Sequence, residues 1–284
     1  MESPIKMVNL APGVRLGGEL PVLIAGPCAV ESYEITRQTA EALRAMAAEL
    51  DLPFIFKASF DKANRTSHTS FRSIGFEEAL AVLDAVRKEV GVAVLTDVHE
   101  TAQVERVADI VDILQIPAFL CRQTDLLQAA GETGLPVNIK RGQFMAPEDM
   151  AHAVEKVRVV GNDRIFLTER GFAFGYHNLV VDMRAFPIMR RFAPVVFDVT
   201  HSVQMPGGAG GSSGGQRAFA PYLARAAAAA GVDGFFVETH PDPARALSDG
   251  PNMIPLSEMP EFLQQIMAVW RASQPYVRLL PNGF

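Results

Sequence analysis

The chain has 284 residues, 49% of them hydrophobic, which is enough to bury the core of one large domain. Its formal net charge of −6 argues against a general nucleic-acid binder or membrane-surface binder, because such proteins present basic surfaces. Two cysteines cannot make a disulfide framework, and no secretion signal or membrane-spanning run is evident, so we expect a cytoplasmic protein.

The first predicted element is a β-hairpin within residues 1–20. Residues 7–18 contain two short apolar runs on either side of Pro12 and Gly13, and a Pro-Gly pair is typical of a tight turn. We expect this hairpin to cap the N-terminal end, or bottom, of the structure that the rest of the chain forms.

Eight short β-branched apolar runs follow, each bounded by turn residues. They are 22–25, 54–58, 92–96, 113–116, 137–140, 165–168, 195–199 and 235–238. Stretches with helical spacing lie between them, which predicts a parallel sheet covered by helices. Eight such units favour a closed (β/α)₈ TIM barrel, an α/β fold, over an open sheet, and no GxGxxG motif follows the first run.

A glycine-rich segment, PGGAGGSSGGQ, occupies residues 206–216 and contains six glycines. Holding such a segment in one conformation costs much conformational entropy, so we predict a mobile active-site loop over 206–217, after the seventh strand. A simple linker is the alternative, but the position of the segment on the expected catalytic face favours a lid. No linker divides the rest of the chain, and we predict a single domain over 1–284.

Polar residues that can bind metals or phosphates stand at the ends of nearly all the predicted strands. In a TIM barrel these carboxyl ends meet at one face, where active sites lie. The residues are Cys28, Lys57, Asp97, Gln115, Lys140, Arg170, His201 and Glu238. Their expected convergence is the main indication of an active site.

The stretch FKASFDKANRTS has the residue types of an anion site. It brings Lys57, Lys62 and Arg65 among hydroxyl and amide donors, which together suit a phosphate group. The donors are Ser59, Asn64, Thr66 and Ser67. A solvated basic loop without a ligand is the alternative interpretation.

Lys140 and Arg170 lie at or just beyond the ends of two predicted strands, where a charge needs a partner. Phosphoenolpyruvate would provide a phosphate and a carboxylate that such cations can neutralise. Two other interpretations stay open. Lys140 or Lys57 could form a Schiff base with a substrate, as in barrel aldolases. Alternatively, Lys140 or Arg170 could form an internal salt bridge with Glu169.

Four dispersed residues could hold a divalent metal ion. Cys28, His201, Glu238 and Asp249 would provide a thiolate, an imidazole and two carboxylates. Their spacing alone does not establish such a site, since a single Cys or His is more often a packing or hydrogen-bonded residue. Cys121 has no other ligand type nearby, and we predict that it packs in the core.

Several longer motifs occur in a fixed order between residues 22 and 256. They include IAGPC-x-x-ES, FKASFDKANRTS, TDVHE, NIKRGQF, FDVTHSVQ and ETHPDP-x-x-ALSDGPNM. In these motifs the chain resembles the 3-deoxy-D-manno-octulosonate 8-phosphate synthases. It is less similar to the 3-deoxy-D-arabino-heptulosonate 7-phosphate synthases, which share the barrel and the chemistry.

The resemblance implies the condensation of phosphoenolpyruvate with D-arabinose 5-phosphate and water, for lipopolysaccharide synthesis. It assigns phosphoenolpyruvate to Lys57, Ser59, Lys62, Gln115, Lys140 and Arg170, and the aldose and its phosphate to Asn64, Arg65, Thr66 and Arg122. It gives catalytic roles to Lys62, Asn64, Lys140, His201 and Asp249. Arg122 matches a residue that reaches the site of a neighbouring subunit, which implies a homotetramer.

The resemblance also implies a metal. Metal-independent members have Asn where this chain has Cys28, so the chain is similar to the metal-dependent class, with Cys28, His201, Glu238 and Asp249 as ligands to Mn, Fe, Co, Zn or Cd. Three alternatives remain. They are a synthase that uses erythrose 4-phosphate, a Schiff-base aldolase whose adduct borohydride would trap, and a barrel that binds sugar phosphates without catalysis.

Overall fold

A computed structural model of the protein describes residues 6–65, 67–207 and 214–280. Thr66 and residues 208–213 of the predicted mobile loop lie outside the described residues. The strands are β1 Val8–Ala11, β2 Val14–Leu16, β3 Val22–Gly26, β4 Phe54–Lys57, β5 Ala93–Asp97, β6 Ile113–Ile116, β7 Val137–Lys140, β8 Ile165–Glu169, β9 Phe172–Ala173, β10 Leu179–Val180, β11 Val195–Asp198, β12 Gln204–Met205, β13 Gly214–Gly215, β14 Gly234–His240 and β15 Ile254–Pro255. The α-helices are α1 Tyr33–Glu49, α2 Phe76–Val90, α3 Thr101–Ala108, α4 Thr124–Glu132, α5 Met150–Arg158, α6 Ala185–Met189, α7 Ala220–Ala230 and α8 Met259–Ser273.

Eight parallel strands form a closed barrel in the described part of the chain. The order is β3, β4, β5, β6, β7, β8, β11 and β14, and β14 pairs with β3 to close the ring. Helices alternate with these strands and cover the barrel, so the prediction of a (β/α)₈ TIM barrel is confirmed. The strands are buried along nearly their whole length, which explains their continuous apolar sequences. The assignment of residues 1–284 to one domain stays a prediction.

The N-terminal hairpin closes the bottom of the barrel, as predicted. Strands β1 and β2 pair antiparallel, and Gly13 in the turn has a φ of +75°, which favours glycine. Leu10 and Leu16 are fully buried and pack with the inward-facing residues Val22 and Phe236 of the barrel interior. Hydrophobic contact therefore holds the hairpin against the bottom of the barrel.

A buried ion pair joins elements at the same end of the barrel. Arg190, which follows α6, donates two hydrogen bonds to Asp233, which precedes β14, at 3.1 and 2.7 Å. The Asp233 carboxylate also accepts a hydrogen bond from the backbone N–H of Val195 at 2.7 Å. Both charged side chains are buried, so the starts of β11 and β14 are fixed together by charge-assisted hydrogen bonds.

The top of the barrel carries most of the irregular structure. Short antiparallel pairs, β9 with β10 and β12 with β13, extend beyond the carboxyl ends of the barrel strands. Strand β12 immediately precedes the glycine-rich segment 206–216, and β13 lies within it. Within the described residues, no helix combines the length and the apolar character needed to cross a membrane.

Candidate active site

A cavity of about 550 Å³ opens at the carboxyl ends of the barrel strands. Ten of the predicted site residues line it, so the expected convergence of strand ends at one face is observed. They are Lys57, Ser59, Lys62, Asn64, Arg65, Gln115, Lys140, Arg170, His201 and Asp249. Cys28, just after β3, and Glu238, on β14, contact these residues from behind the cavity surface.

Two buried lysines at the base of the cavity are paired with carboxylates. Lys57 Nζ lies 2.7 Å from Glu238 Oε1 and donates to the backbone carbonyl of Cys28 at 2.9 Å. Lys140 Nζ lies 2.5 Å from Asp198 Oδ2 and 3.9 Å from the centroid of the Phe236 ring. These ion pairs compensate the cost of burying each charge, and the aromatic ring adds a further favourable contact to Lys140.

The predicted alternative of a salt bridge from Lys140 or Arg170 to Glu169 is wrong. The Glu169 carboxylate pairs with Arg141, and both side chains are buried. Arg170 instead donates from Nη2 to Gln204 Oε1 at 2.7 Å, and its Nη1 is buried without a hydrogen-bond partner among the described residues. The guanidinium thus keeps an unsatisfied donor that an anionic ligand can fill.

Burial and neighbouring charges shift the pKa values of two cavity lysines in opposite directions. Burial lowers the pKa of Lys62, but the surrounding negative charges, which include Cys28, Glu238 and Asp97, together raise it by more, so its pKa lies above the usual value. Burial lowers the pKa of Lys140, and the neighbouring Asp198 offsets only a part of this effect. Lys62 also donates to Ser59 Oγ at 2.9 Å, which fixes the position of its ammonium group.

The predicted metal ligands lie together beside the cavity. The Cys28 sulfur and one carboxylate oxygen each from Glu238 and Asp249 lie within 4.8 Å of one another. The Cys28 Sγ is 3.3 Å from Asp249 Oδ2. His201 Nε2 lies 3.5 Å from Glu238 Oε2 and 4.0 Å from Asp249 Oδ2. A thiolate, an imidazole and two carboxylates are a suitable donor set for a divalent transition metal.

One further observation fits a bound cation. The Nδ1 of His201 faces Asp198 Oδ2 at 2.8 Å, which directs Nε2 to the other ligands, as the outer carboxylate does for many metal-bound histidines. Burial and the nearby Glu238 carboxylate raise the pKa of the Cys28 thiol. A divalent cation favours the thiolate and so counteracts both effects.

The segment that follows β4 forms a further side of the cavity, in addition to the base with its two buried lysines. Asn64 and Arg65 line it, and the buried Nε of Arg65 has no hydrogen-bond partner among the described residues. Thr66, predicted for the same aldose phosphate, lies outside the described residues. Arg122 is exposed and does not line the cavity of its own chain. Cys121 is fully buried in the hydrophobic core, as predicted.

The predicted site residues did not include Asp198, Gln204 or Asp97, which lie in or next to the cavity. The Asp198 carboxylate forms ion pairs with Lys140 and His201. The Gln204 side chain forms hydrogen bonds with Arg170 and Asp249. Both lie within the FDVTHSVQ motif on either side of His201, which is the signal that could have identified them. Asp97, singled out as a strand-end residue but given no role, lines the cavity with its Oδ2 3.1 Å from His99 Nε2.

Because of the carboxyl groups of the site, we expect the stability of the folded protein to depend on pH in acid. Burial raises their pKa values, but the neighbouring His201 and lysines together lower the pKa of Glu238 by more, to about 2. The pKa values of Asp97 and Asp198 also lie below the usual range. Below the ordinary carboxyl pKa of about 4, the unfolded chain therefore binds more protons than the folded protein. We therefore expect the free energy of unfolding to decrease as the pH decreases through this range, by about 1.4 kcal/mol per pH unit for each group.

Urea unfolding of the chelated protein between pH 6 and pH 2.5 measures this effect. The Asp97→Asn variant should show a slope smaller by about one proton, that is by roughly 1.4 kcal/mol per pH unit between pH 4 and pH 2.5. Equal slopes for the two proteins would show that Asp97 does not keep its charge in acid.

Curated relatives cover nearly the whole chain. A protein from Alkalilimnicola ehrlichii is 59% identical over 257 residues, which are 90% of this chain and 93% of the relative. One from Geobacter metallireducens is 57% identical over 258 residues, 90% of this chain and 95% of the relative. One from Acidithiobacillus ferrooxidans is 59% identical over 243 residues, 85% of this chain and 86% of the relative. Each is named 2-dehydro-3-deoxyphosphooctonate aldolase.

A family comparison also covers nearly the whole chain. The sequence profile of the DAHP synthetase I family matches residues 3–273, which is nearly the whole chain. With this match and with relatives of 57–59% identity, the chain belongs to the DAHP synthetase I family.

Proposed function

We propose that the protein is a 3-deoxy-D-manno-octulosonate 8-phosphate synthase. It condenses phosphoenolpyruvate with D-arabinose 5-phosphate and water, and it releases inorganic phosphate. The observation that carries this proposal is one cavity that combines several buried cations with a neighbouring group of side chains that could hold a metal ion. The relatives named 2-dehydro-3-deoxyphosphooctonate aldolase support the choice of product.

Phosphoenolpyruvate binds at the base of the cavity in this proposal. Its phosphate and carboxylate need several cations, and Lys62, Lys140 and Arg170 surround the same space. The Nη1 of Arg170, which has no hydrogen-bond partner in the part of the chain that the structure describes, can donate to an anionic oxygen. Lys57, Ser59 and Gln115 line the rest of this subsite.

Arabinose 5-phosphate occupies the other side of the cavity, with its aldehyde directed to phosphoenolpyruvate. Asn64 and Arg65 line this side, and we assign Thr66 to the same phosphate. Arg122 is exposed, so we propose that it reaches the site of a neighbouring subunit in a homotetramer. An added arginine would complete a phosphate site that contains few cations of its own.

Cys28, His201, Glu238 and Asp249 are the residues that would hold a divalent metal such as Mn, Fe, Co, Zn or Cd. When bound, such a metal can polarise the aldehyde or a sugar hydroxyl, or lower the pKa of water. Glu238 also forms the ion pair with Lys57, so the metal site and the phosphoenolpyruvate site share one carboxylate.

The reaction forms one carbon–carbon bond and replaces the C2–O bond to phosphate with a C2–O bond from water. The C3 carbon of phosphoenolpyruvate attacks the aldehyde carbon, and water adds at C2 and gives one proton to the former aldehyde oxygen. The C2–O bond to the phosphate then breaks, and the second proton of the water leaves with the phosphate. No covalent enzyme intermediate is required. The protein holds the two substrates in contact and disperses their negative charge with Lys62, Lys140 and Arg170, which lowers the barrier by proximity and electrostatics.

Aldose choice tests the proposal. Phosphate release from phosphoenolpyruvate would be measured with arabinose 5-phosphate or erythrose 4-phosphate, each with metal supplied and with chelator. We expect release only with the five-carbon sugar and metal. The family description favours a heptulosonate synthase as the second candidate, and release with erythrose 4-phosphate would support it. No release with either sugar would contradict both candidates and return the aldolase and binding-protein interpretations.

We also propose a cytoplasmic location, because Cys28 and Cys121 are both free thiols.

A further inference from the structure

We propose that Gln204 is a positioning residue that joins the phosphoenolpyruvate site to the metal site, an inference that rests on the proposed function. Gln204 begins β12 and lines the cavity between a cation and a carboxylate. Arg170 Nη2 donates to Gln204 Oε1 at 2.7 Å, and Gln204 Nε2 donates to Asp249 Oδ1 at 3.1 Å. One side-chain amide therefore bridges a residue from each of the two sites.

Only one orientation of the Gln204 amide satisfies both of its hydrogen-bond partners. A guanidinium can only donate hydrogen bonds, and an ionised carboxylate can only accept them. The Gln204 oxygen must therefore face Arg170, and its NH₂ group must face Asp249. The reversed orientation would bring two donors together at one end and two acceptors together at the other. A glutamine suits this position because it has one donor and one acceptor at the required reach.

The bridge engages one atom of each neighbouring group and leaves the other atom for a ligand. On one side, Arg170 Nη1 remains buried without a hydrogen-bond partner among the described residues. On the other side, Asp249 Oδ2 faces the Cys28 sulfur at 3.3 Å and His201 Nε2 at 4.0 Å. Gln204 thus directs a guanidinium donor to the phosphoenolpyruvate subsite and a carboxylate oxygen to the metal site.

The backbone of Gln204 is held by the same part of the structure. In the β12 and β13 pair, Gln204 lies opposite Gly215. A Cβ atom on Gly215 would lie 1.5 Å from the Asn252 Oδ1, so this strand packs directly against the segment that follows Asp249. Gln204 is therefore attached to the Asp249 segment through its side chain and also through its strand partner.

Binding at the two sites is coupled by this arrangement. A ligand anion on Arg170 restrains the guanidinium, the amide and then the Asp249 carboxylate, while a metal on Asp249 restrains the same groups in the opposite order. Such coupling is reciprocal, so each ligand changes the affinity of the other by the same factor. Removal of the amide should weaken both binding events.

The Gln204→Met variant tests the inference, because methionine has a similar length but cannot make either hydrogen bond. Gln265 provides a matched control, since on the exposed face of α8 it also accepts from an arginine, Arg225, and donates to a carboxylate, Glu261. Mn²⁺ affinity would be measured from the electron paramagnetic resonance signal of the free ion. Phosphoenolpyruvate affinity would be measured by calorimetry on the chelated protein, and folding by the thermal midpoint.

In the Gln204→Met variant we expect the Mn²⁺ dissociation constant to rise roughly 10- to 100-fold, as for other residues that orient metal ligands. The phosphoenolpyruvate dissociation constant should rise roughly tenfold, because a hydrogen bond to a charged group is lost. Gln265→Met should change neither affinity. Unchanged affinities in Gln204→Met, or a loss confined to one ligand, would overturn the inference.

The wild-type protein separates this inference from the proposed function. Wild-type protein that binds phosphoenolpyruvate but no Mn²⁺ would overturn the proposed metal site and the Gln204 inference with it. Wild-type protein that binds both, beside a Gln204→Met variant that also binds both normally, would overturn the Gln204 inference alone.

Discussion

Replacement of Cys28 with alanine is expected to abolish metal retention and activity together. The thiol lies within 4.8 Å of the carboxylate oxygens of Glu238 and Asp249, so its loss removes one donor and leaves two carboxylates close together. We expect metal affinity to fall by more than about 100-fold, since changes to outer residues alone cost 10–100-fold. Metal content after dialysis and phosphate release from phosphoenolpyruvate with arabinose 5-phosphate would be measured on the same samples.

Cys121 provides the control for this experiment because it is the other cysteine and is equally buried. It packs in the hydrophobic core, so Cys121→Ala should keep metal and activity and lose about 1 kcal/mol of stability from a small cavity. Full activity of Cys28→Ala in the presence of chelator would contradict the metal assignment. Loss of metal from Cys121→Ala would show that the wrong thiol had been assigned.

Replacement of Arg190 with methionine is expected to lower the free energy of unfolding by about 3–5 kcal/mol. The change leaves the buried Asp233 carboxylate without the cation that compensates its charge. Burial already raises the pKa of Asp233 although Arg190 is present, which shows how costly this charge is. The loss is large beside the 5–15 kcal/mol that usually stabilises a folded domain. Urea unfolding at pH 7 would measure it.

A double variant separates the cost of an unpaired charge from the loss of packing. Arg190→Met combined with Asp233→Asn removes both charges, so it should recover a part of the lost stability. Because this ion pair lies at the end of the barrel opposite the cavity, turnover per folded molecule should stay unchanged in both variants. A loss below about 1 kcal/mol in the single variant would show that water reaches and solvates the carboxylate.

The fold could be predicted because its signals are local. The strands Ile113–Ile116 and Val137–Lys140 were predicted with their observed bounds, since each is a short apolar run between turn residues. The gathering of Lys57, Gln115 and His201 at one face then follows from topology alone, because parallel strands in a closed barrel share the direction of their carboxyl ends.

The pairing of charges inside the site could not be predicted in the same way. Glu169 pairs with Arg141 rather than with Lys140, although Lys140 and Arg141 are adjacent in sequence. Which of two neighbouring side chains points into the barrel depends on the orientation of each strand relative to its neighbours, and sequence spacing does not contain this information. The bridge by Gln204 was missed for a different reason, because its partners Arg170 and Asp249 come from distant segments of the chain.

Barrel closure sets the order of events as the chain folds. Strand β3 pairs with β14, in a register that aligns Val22 with Gly234, more than two hundred residues later in the chain. Contacts between such distant segments form slowly, and the open edge of β3 stays available for wrong pairing until β14 has been synthesised. The Lys57 and Glu238 ion pair spans this junction from β4 to β14. The base of the substrate cavity is therefore assembled only in the last step of barrel formation.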